Sequence, residues 1–134
     1  MKKKVLIIDD ETDILKTVKT GLETIDENFE VIGLESGKDC IKYLSTKKDL
    51  PDIILIDIMM PEMDGWQLLN RIKEKNKYNK IPLIFLTAKN DDFTKTFGKT
   101  QTDDFIEKPF DIEDLRLRID NAIRKSKKDF LSLE

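Results

Sequence analysis

The 134-residue chain contains no histidine, one cysteine and no long hydrophobic run. Without histidine, the chain alone cannot form a Ser-His-Asp or Cys-His catalytic site, or a zinc site of the usual histidine kind. The lone Cys40 excludes an internal disulfide and fits a reducing compartment. No apolar segment approaches the roughly 20 residues that a membrane-spanning helix needs. We therefore expect a cytoplasmic protein whose chemistry depends on carboxylates, hydroxyls and lysine.

Charged residues are abundant, but their signs nearly balance. Lys and Arg together number 24, Asp and Glu 27, and the net charge is −3. This composition lacks the basic footprint of a nucleic-acid-binding protein. With 39% hydrophobic residues, a chain of this length is predicted to fold as one domain with its own core.

Five short apolar runs alternate with amphipathic segments. The runs are VLII, FEVIGLE, DIILIDI, PLIFLTA and DFIEK, at residues 5–8, 29–35, 52–58, 82–88 and 104–108. Continuous apolar runs are typical of parallel strands that are covered on both faces. Alternation of such strands with helices predicts an α/β fold in which right-handed crossovers join parallel strands.

The segments between the runs have helical patterns. The first predicted helix has an apolar stripe at three- and four-residue spacing, made of Ile14, Leu15, Val18, Leu22 and Ile25. Asp64 and Asp111 are the expected N-caps of the third and the last helix. The polar region 90–102 favours at most a short helix around Phe93 and Phe97.

Polar side chains stand where the predicted strands end. Asp9 and Asp10 follow the first strand, and Asp57, Thr87 and Lys108 lie at the ends of the third, fourth and fifth. Ligands of open parallel sheets bind at this edge. Converging carboxylates repel one another unless a cation lies among them, and Mg²⁺ suits a small carboxylate cluster. Taken singly, each residue is an ordinary helix cap or strand end; together they indicate metal-assisted phosphoryl transfer to a carboxylate.

These residues lie within the motifs VLIIDDE, PDIILIDIMMPEMDGWQLL, PLIFLTAK and DDFIEKPF. With these motifs, the chain resembles the receiver domain of two-component response regulators from about Lys4 to Lys125. The resemblance implies a doubly wound, flavodoxin-like sandwich of three layers, with a five-stranded parallel sheet in the order 2-1-3-4-5. It places the receiver domain at residues 1–125 and leaves 126–134 as a tail or the start of a linker.

The resemblance also gives the acidic residues their roles. It implies that Asp57 accepts the phosphoryl group and that Asp10 and Asp57 bind Mg²⁺ or Mn²⁺ directly. The backbone carbonyl of Met59 would be a further ligand, and Asp9 would act through water. The metal would neutralise the charge of the arriving phosphoryl group.

Four other positions take roles from the same resemblance. Thr87 and Lys108 would bind the phosphoryl oxygens, and the Lys108–Pro109 peptide bond is expected to be cis. Thr87 and Phe105 would form a switch in which the hydroxyl moves toward the phosphoryl group and the ring follows into the vacated space. Because Phe105 lacks a phenol hydroxyl, burial alone would set the inward or outward preference of its ring.

As a function, the resemblance implies a phospho-accepting domain of a two-component phosphorelay, with no enzymatic activity beyond self-phosphorylation and self-dephosphorylation. The donor would be the phosphohistidine of a sensor histidine kinase or a phosphotransfer protein. An unknown output protein or domain would read the surface formed by the family's fourth helix, fifth strand and fifth helix. We expect a monomer or a phosphorylation-dependent homodimer, with no direct contact to nucleic acid or membrane.

Two other functions are compatible with these motifs. A Mg²⁺-dependent phosphatase with an aspartate nucleophile usually needs a general acid two residues after the nucleophile, where Met59 stands. A scaffold receiver that is never phosphorylated would not need all five polar residues at the strand ends. A separate hypothesis concerns Met59, whose side chain would shield the acyl phosphate from water and slow its hydrolysis.

Overall fold

The structure is a computed structural model that describes residues 2–46, 49–88 and 104–132, with side chains as far as residue 127. The short helix expected around Phe93 and Phe97 lies outside these ranges. Among the described residues, no helix is long and apolar enough to cross a membrane.

Five parallel strands form one sheet in the order β2-β1-β3-β4-β5, as predicted. The strands are β1 (Lys3–Ile8), β2 (Phe29–Leu34), β3 (Ile53–Asp57), β4 (Leu83–Thr87) and β5 (Asp104–Glu107). The order reverses beside β1, which pairs with both β2 and β3. The sheet therefore has its topological switch point between β1, which Asp9 follows, and β3, which ends at Asp57.

Four helices are described: α1 (Thr12–Ile25), α2 (Gly37–Thr46), α3 (Gly65–Lys73) and α4 (Ile112–Ser132). Asp64 caps α3 as predicted, and its side chain and that of Gln67 form a reciprocal capping box. Asp111 accepts a hydrogen bond from the backbone N–H of Asp114 at the start of α4. The predicted stripe of α1 is wrong at its last residue, since Ile25 is 39% exposed where the helix ends.

The sheet buries apolar side chains on both faces, and the alternation of strand residues decides which helices they meet. Val5 and Ile7 belong to the cluster that packs with α1 and α4, whereas Leu6 and Ile8 belong to the cluster that packs with α2 and α3. All four are fully buried, and burial of each such side chain contributes about 1.5–3 kcal/mol. The three layers thus fix the carboxyl ends of the strands.

The loop between β3 and α3 contains a tight turn centred on Glu62. Its φ is +67°, and Met63 N donates a hydrogen bond to Pro61 O at 2.7 Å across the turn. A left-handed conformation crowds Cβ against the carbonyl oxygen and costs about 1–2 kcal/mol for a residue other than glycine. Glu62 therefore stores strain in the loop that follows Asp57.

We expect Glu62→Gly to raise the free energy of unfolding by about 1 kcal/mol, because glycine adopts positive φ without a Cβ clash. Chemical denaturation of the two proteins measures the difference. Glu62→Ala is the control, since it removes the same carboxylate and keeps Cβ. An equal gain from alanine would assign the effect to charge and contradict the backbone explanation.

Candidate functional site

Backbone hydrogen bonds beyond the strand ends bring the predicted site residues to one edge of the sheet. Asp9 N donates to Leu34 O at 3.1 Å, directly after β1. Lys108 N donates to Thr87 O at 2.8 Å, which ties the residue after β5 to the end of β4. The Lys108–Pro109 peptide bond is cis.

Three carboxylates meet at this edge. One oxygen from each of Asp9, Asp10 and Asp57 lies within 4.8 Å of the others. Asp9 is fully buried and Asp57 is 4% exposed, whereas Asp10 faces solvent. Two of the three negative charges therefore lie in an environment of low polarity, where carboxylates are costly unless they have partners.

A glycine allows the loop after β3 to approach this edge. A Cβ on Gly65 would lie 2.8 Å from both Asp57 O and Ile58 Cα. Those atoms are backbone and cannot move aside cheaply. Gly65 N donates to Ile58 O at 2.9 Å, so the first residue of α3 is packed against the end of β3. The close approach fixes the chain on both sides of Met59.

Lys108 supplies the positive charge. Its Nζ lies 2.8 Å from Asp9 Oδ2 and 3.6 Å from both Asp57 Oδ1 and Glu11 Oε1. Burial by itself lowers the pKa of Lys108, but its contact with Asp9 and the charges of Asp57 and Glu11 outweigh this effect, so the pKa is raised. Lys108 is therefore a cation at neutral pH, and it lies closer to Asp9 than to Asp57.

Asp57 is less ready to ionise than an ordinary aspartate. Burial raises the pKa of Asp57 to about 7, and repulsion from Asp9 and Asp10 acts in the same direction. The charge of Lys108 and a 3.4 Å hydrogen bond from Met59 N to Asp57 Oδ1 oppose the increase without cancelling it. Another cation at the site would favour the carboxylate form.

The donor atoms fit a hard divalent cation. Asp9 Oδ1 accepts a hydrogen bond from Glu11 N at 2.9 Å. Asp9 Oδ2 is buried, and no donor in the described part of the chain makes a hydrogen bond to it. Its contact with Lys108 Nζ is therefore an ion pair without hydrogen-bond geometry. An all-oxygen set with residual negative charge is what Mg²⁺ binds, usually with several waters retained.

Thr87 and Phe105 share the face of the sheet that α2 and α3 cover. Thr87 lies two residues after Phe85 on β4, and Phe85 pairs in register with Phe105 on β5. The rings of Phe85 and Phe105 have centroids 6.1 Å apart, and Phe105 is buried. The Thr87 hydroxyl donates to Ala88 O at 3.2 Å. The ring is thus already packed inward in this structure.

Met59 and Glu11 flank the buried acids at the surface. Met59 is 70% exposed although it follows Asp57 by only two residues. Glu11, to which the sequence analysis gives no role, has a 62% exposed side chain and contacts Lys108. The position of Glu11 directly after the Asp9–Asp10 pair indicates a place near the site. Sequence alone does not show that its side chain turns toward Lys108, the residue after β5.

Comparison with known proteins agrees with this geometry. The sequence model of the family described as "Response regulator receiver domain" matches residues 5–120. The response regulator SaeR of Staphylococcus aureus is 39% identical over 124 residues, which are 92% of this chain and 51% of that protein. The alkaline phosphatase synthesis transcriptional regulatory protein PhoP of Bacillus subtilis is 32% identical over 127 residues, which are 94% of this chain and 50% of that protein.

Solved structures show the same fold. A response regulator receiver domain protein from Clostridium thermocellum superposes with a TM-score of 0.81 at 29% identity, covering 92% of this chain and 96% of that one. The chain spans about half the length of the curated relatives it matches.

The raised pKa of Asp57 predicts the pH dependence of stability in the metal-free protein. A carboxyl with a pKa of about 7 in the folded state and 3.8 in the unfolded state binds more protons when folded. The stabilising contribution of this carboxyl to the folded state is therefore fully present below pH 3.8 and is lost as the pH rises through about 7. We expect Asp57→Asn to be more stable than the parent at pH 8, by on the order of 2 kcal/mol, with the gain vanishing toward pH 4.

Thermal unfolding of both proteins across this pH range, in the presence of a chelator, measures the effect. Asp49→Asn is the control, because it removes a carboxylate that is exposed. A gain for Asp57→Asn that is the same at pH 4 and pH 8 would contradict the assigned cause.

Proposed function

The chain belongs to the response regulator receiver domain family, and from this premise we propose that it accepts a phosphoryl group on Asp57 from a phosphohistidine of a partner protein. The observation that carries the proposal is the arrangement around Asp57: a buried carboxylate with Lys108 Nζ at 3.6 Å and two further carboxylates beside it. The partner is a sensor histidine kinase or a phosphotransfer protein of the same two-component system.

In the proposed reaction, a carboxylate oxygen of Asp57 attacks phosphorus as the bond to the donor's imidazole nitrogen breaks. The imidazole leaves with the electron pair of that bond, and an acyl phosphate forms. Mg²⁺ or Mn²⁺, held by Asp10 and Asp57 with the Met59 carbonyl, and by Asp9 through water, would neutralise charge on the phosphoryl oxygens. The pKa of about 7 is that of Asp57 without a metal, so cation binding favours the nucleophilic form.

Lys108 and Thr87 would hold the transferred group. The ammonium of Lys108 already contacts Asp9, Glu11 and Asp57, and so lies beside the carboxylate that would carry the phosphoryl group. The Thr87 hydroxyl would exchange its bond to Ala88 O for one to the phosphoryl group. Phe105 would respond by adjusting its packing against Phe85, which makes these residues the proposed switch.

We propose that the receiver domain spans residues 1–125 and that 126–134, in which α4 continues to Ser132, is a tail or the start of a linker. We also propose that the domain controls an output protein or domain. The family resemblance assigns output to the surface formed by the family's fourth helix, fifth strand and fifth helix. Of these elements, the structure describes the fifth strand, which is β5, and the fifth helix, which is α4 in the present numbering. Arg118 of α4 joins these elements through two hydrogen bonds of 3.0 Å to Asp104 and one of 3.0 Å to Phe105 O. A change at Phe105 is therefore coupled to α4. A phosphorylation-dependent homodimer through this surface is compatible with these contacts.

The alternative function, a phosphatase with an aspartate nucleophile, gains no support from the site. Such an enzyme requires a proton donor for the leaving group. The residue two positions after Asp57 is Met59, which cannot transfer a proton. The proposed outcome is instead an acyl phosphate that lasts long enough to act as a signal.

The test is incubation with acetyl phosphate and Mg²⁺, followed by intact-protein mass spectrometry. We expect the parent to gain the mass of one phosphoryl group and Asp57→Ala to gain none. Lys108→Ala should be phosphorylated at least ten-fold more slowly, because a charged hydrogen bond to the phosphoryl group contributes about 1.5–3 kcal/mol. Equal phosphorylation of the parent and Asp57→Ala would show that the acceptor is a different residue.

A second prediction concerns the lifetime of the acyl phosphate. We expect Met59→Asn to hydrolyse several-fold faster than the parent, because an amide can orient the attacking water where the thioether excludes it. The measurement is the decay of radiolabelled phosphoprotein after removal of the donor. Met59→Leu, which keeps an apolar side chain of similar volume, is the control and should decay at the parental rate. An unchanged rate in Met59→Asn would remove the shielding hypothesis.

A further inference from the structure

Glu11 contacts the reacting end of the site although no step of the proposed reaction uses it. Its Oε1 lies 3.6 Å from Lys108 Nζ, and its side chain is mostly exposed. The side chains of Asp9 and Asp57 are 0% and 6% exposed, that of Lys108 is 17% exposed, and that of Glu11 is 62% exposed. The ammonium thus contacts two buried carboxylates and one exposed carboxylate, which marks the mouth of the site.

A structural role does not account for this side chain. Glu11 is the N-cap residue of α1, but its side chain makes no capping hydrogen bond, and glutamate is not among the residues preferred there. The backbone holds Glu11 in place, since its N–H donates to Asp9 Oδ1 at 2.9 Å and its carbonyl accepts from Ile14 N at 3.1 Å. The main chain of Glu11 is therefore fixed without a capping bond, and its carboxylate contacts Lys108.

We propose that Glu11 is a positioning residue that holds the Lys108 ammonium toward the mouth of the site and so sets the balance between metal binding and donor binding. This inference rests on the proposed function. Without Glu11, the two remaining attractions draw the ammonium deeper, toward Asp9 and Asp57. The site also loses one negative charge at its entrance.

These two consequences act in opposite directions on the two ligands. A divalent cation binds more weakly, because the ammonium competes with it for the buried carboxylates and one attractive charge is gone. An anionic phosphoryl donor binds more tightly, because repulsion from a negative charge at the entrance is removed. Loss of a purely structural residue would weaken both.

The chain provides a matched control in Asp13. It is exposed and acidic and lies in the first turn of α1, so Asp13→Asn makes the same change in net charge at the same helix end. Among the described contacts, however, Lys108 pairs with Glu11 and not with Asp13. The difference between Glu11→Gln and Asp13→Asn therefore isolates the contact with Lys108 from the general charge of α1.

Two measurements test the proposal on the full chain. Calorimetric titration with MgCl₂ should give a dissociation constant about three-fold higher for Glu11→Gln than for the parent, as expected for one charge at this range. The half-saturating concentration of acetyl phosphate, at saturating Mg²⁺, should be about three-fold lower. Both shifts should be at least twice those of Asp13→Asn, and Glu11→Asp should restore part of each.

Equal shifts in Glu11→Gln and Asp13→Asn would overturn the proposal, because general charge would then explain both. A weakening of both ligands in Glu11→Gln would also overturn it and assign Glu11 a structural role. Failure of the parent itself to accept a phosphoryl group would instead contradict the proposed function, and the Mg²⁺ titration would still report on Glu11.

Discussion

The ion pairs of Lys108 are the interaction on which the site depends. One ammonium faces Asp9, Asp57 and Glu11, while Asp10 adds a further negative charge to the cluster. Removal of one member of a buried pair typically costs 3–5 kcal/mol, because the other charge is left without compensation. Among the described residues, one cation thus faces four acids, which leaves an excess of negative charge. Under the proposed function, this excess of negative charge would attract a metal ion, and the metal would in turn attract a phosphoryl group.

The sheet tolerates these acidic groups because they lie at its edge and not in its apolar interior. The central strands β1, β3 and β4 bury aliphatic or aromatic side chains on both faces, and their acidic and hydroxyl residues occur only at or after the last strand position. The net stability of a domain is only about 5–15 kcal/mol. The chain can therefore tolerate a strained loop and a poorly neutralised carboxylate only because such a core stabilises the rest of the fold. Glu62 has a strained backbone and Asp57 a carboxyl whose pKa is raised, and both lie at or just after the end of β3.

Much of this could be predicted from the sequence. Apolar runs with polar ends predicted the strands, and parallel topology requires those ends to share an edge, so Asp9, Asp57, Thr87 and Lys108 followed together. The details that depend on side-chain direction could not be predicted. Sequence alone does not show that Lys108 lies nearer to Asp9 than to Asp57, or that Glu11 turns toward it. Ile25 fits the apolar period of α1 but is the last residue of the helix and is 39% exposed, so periodicity predicted burial that the fold does not provide.

The packing of Phe105 limits how the proposed switch can work in this chain. A tyrosine at this position can exchange packing for a hydroxyl hydrogen bond, which gives its outward state a compensating interaction. Phe105 has no such group and is already buried beside Phe85, so inward movement of its ring has little free energy left to release. A ligand shifts an equilibrium only by its difference in affinity for the two states. In the proposed switch, the larger change would therefore fall on the Thr87 hydroxyl, which would leave Ala88 O for the phosphoryl group.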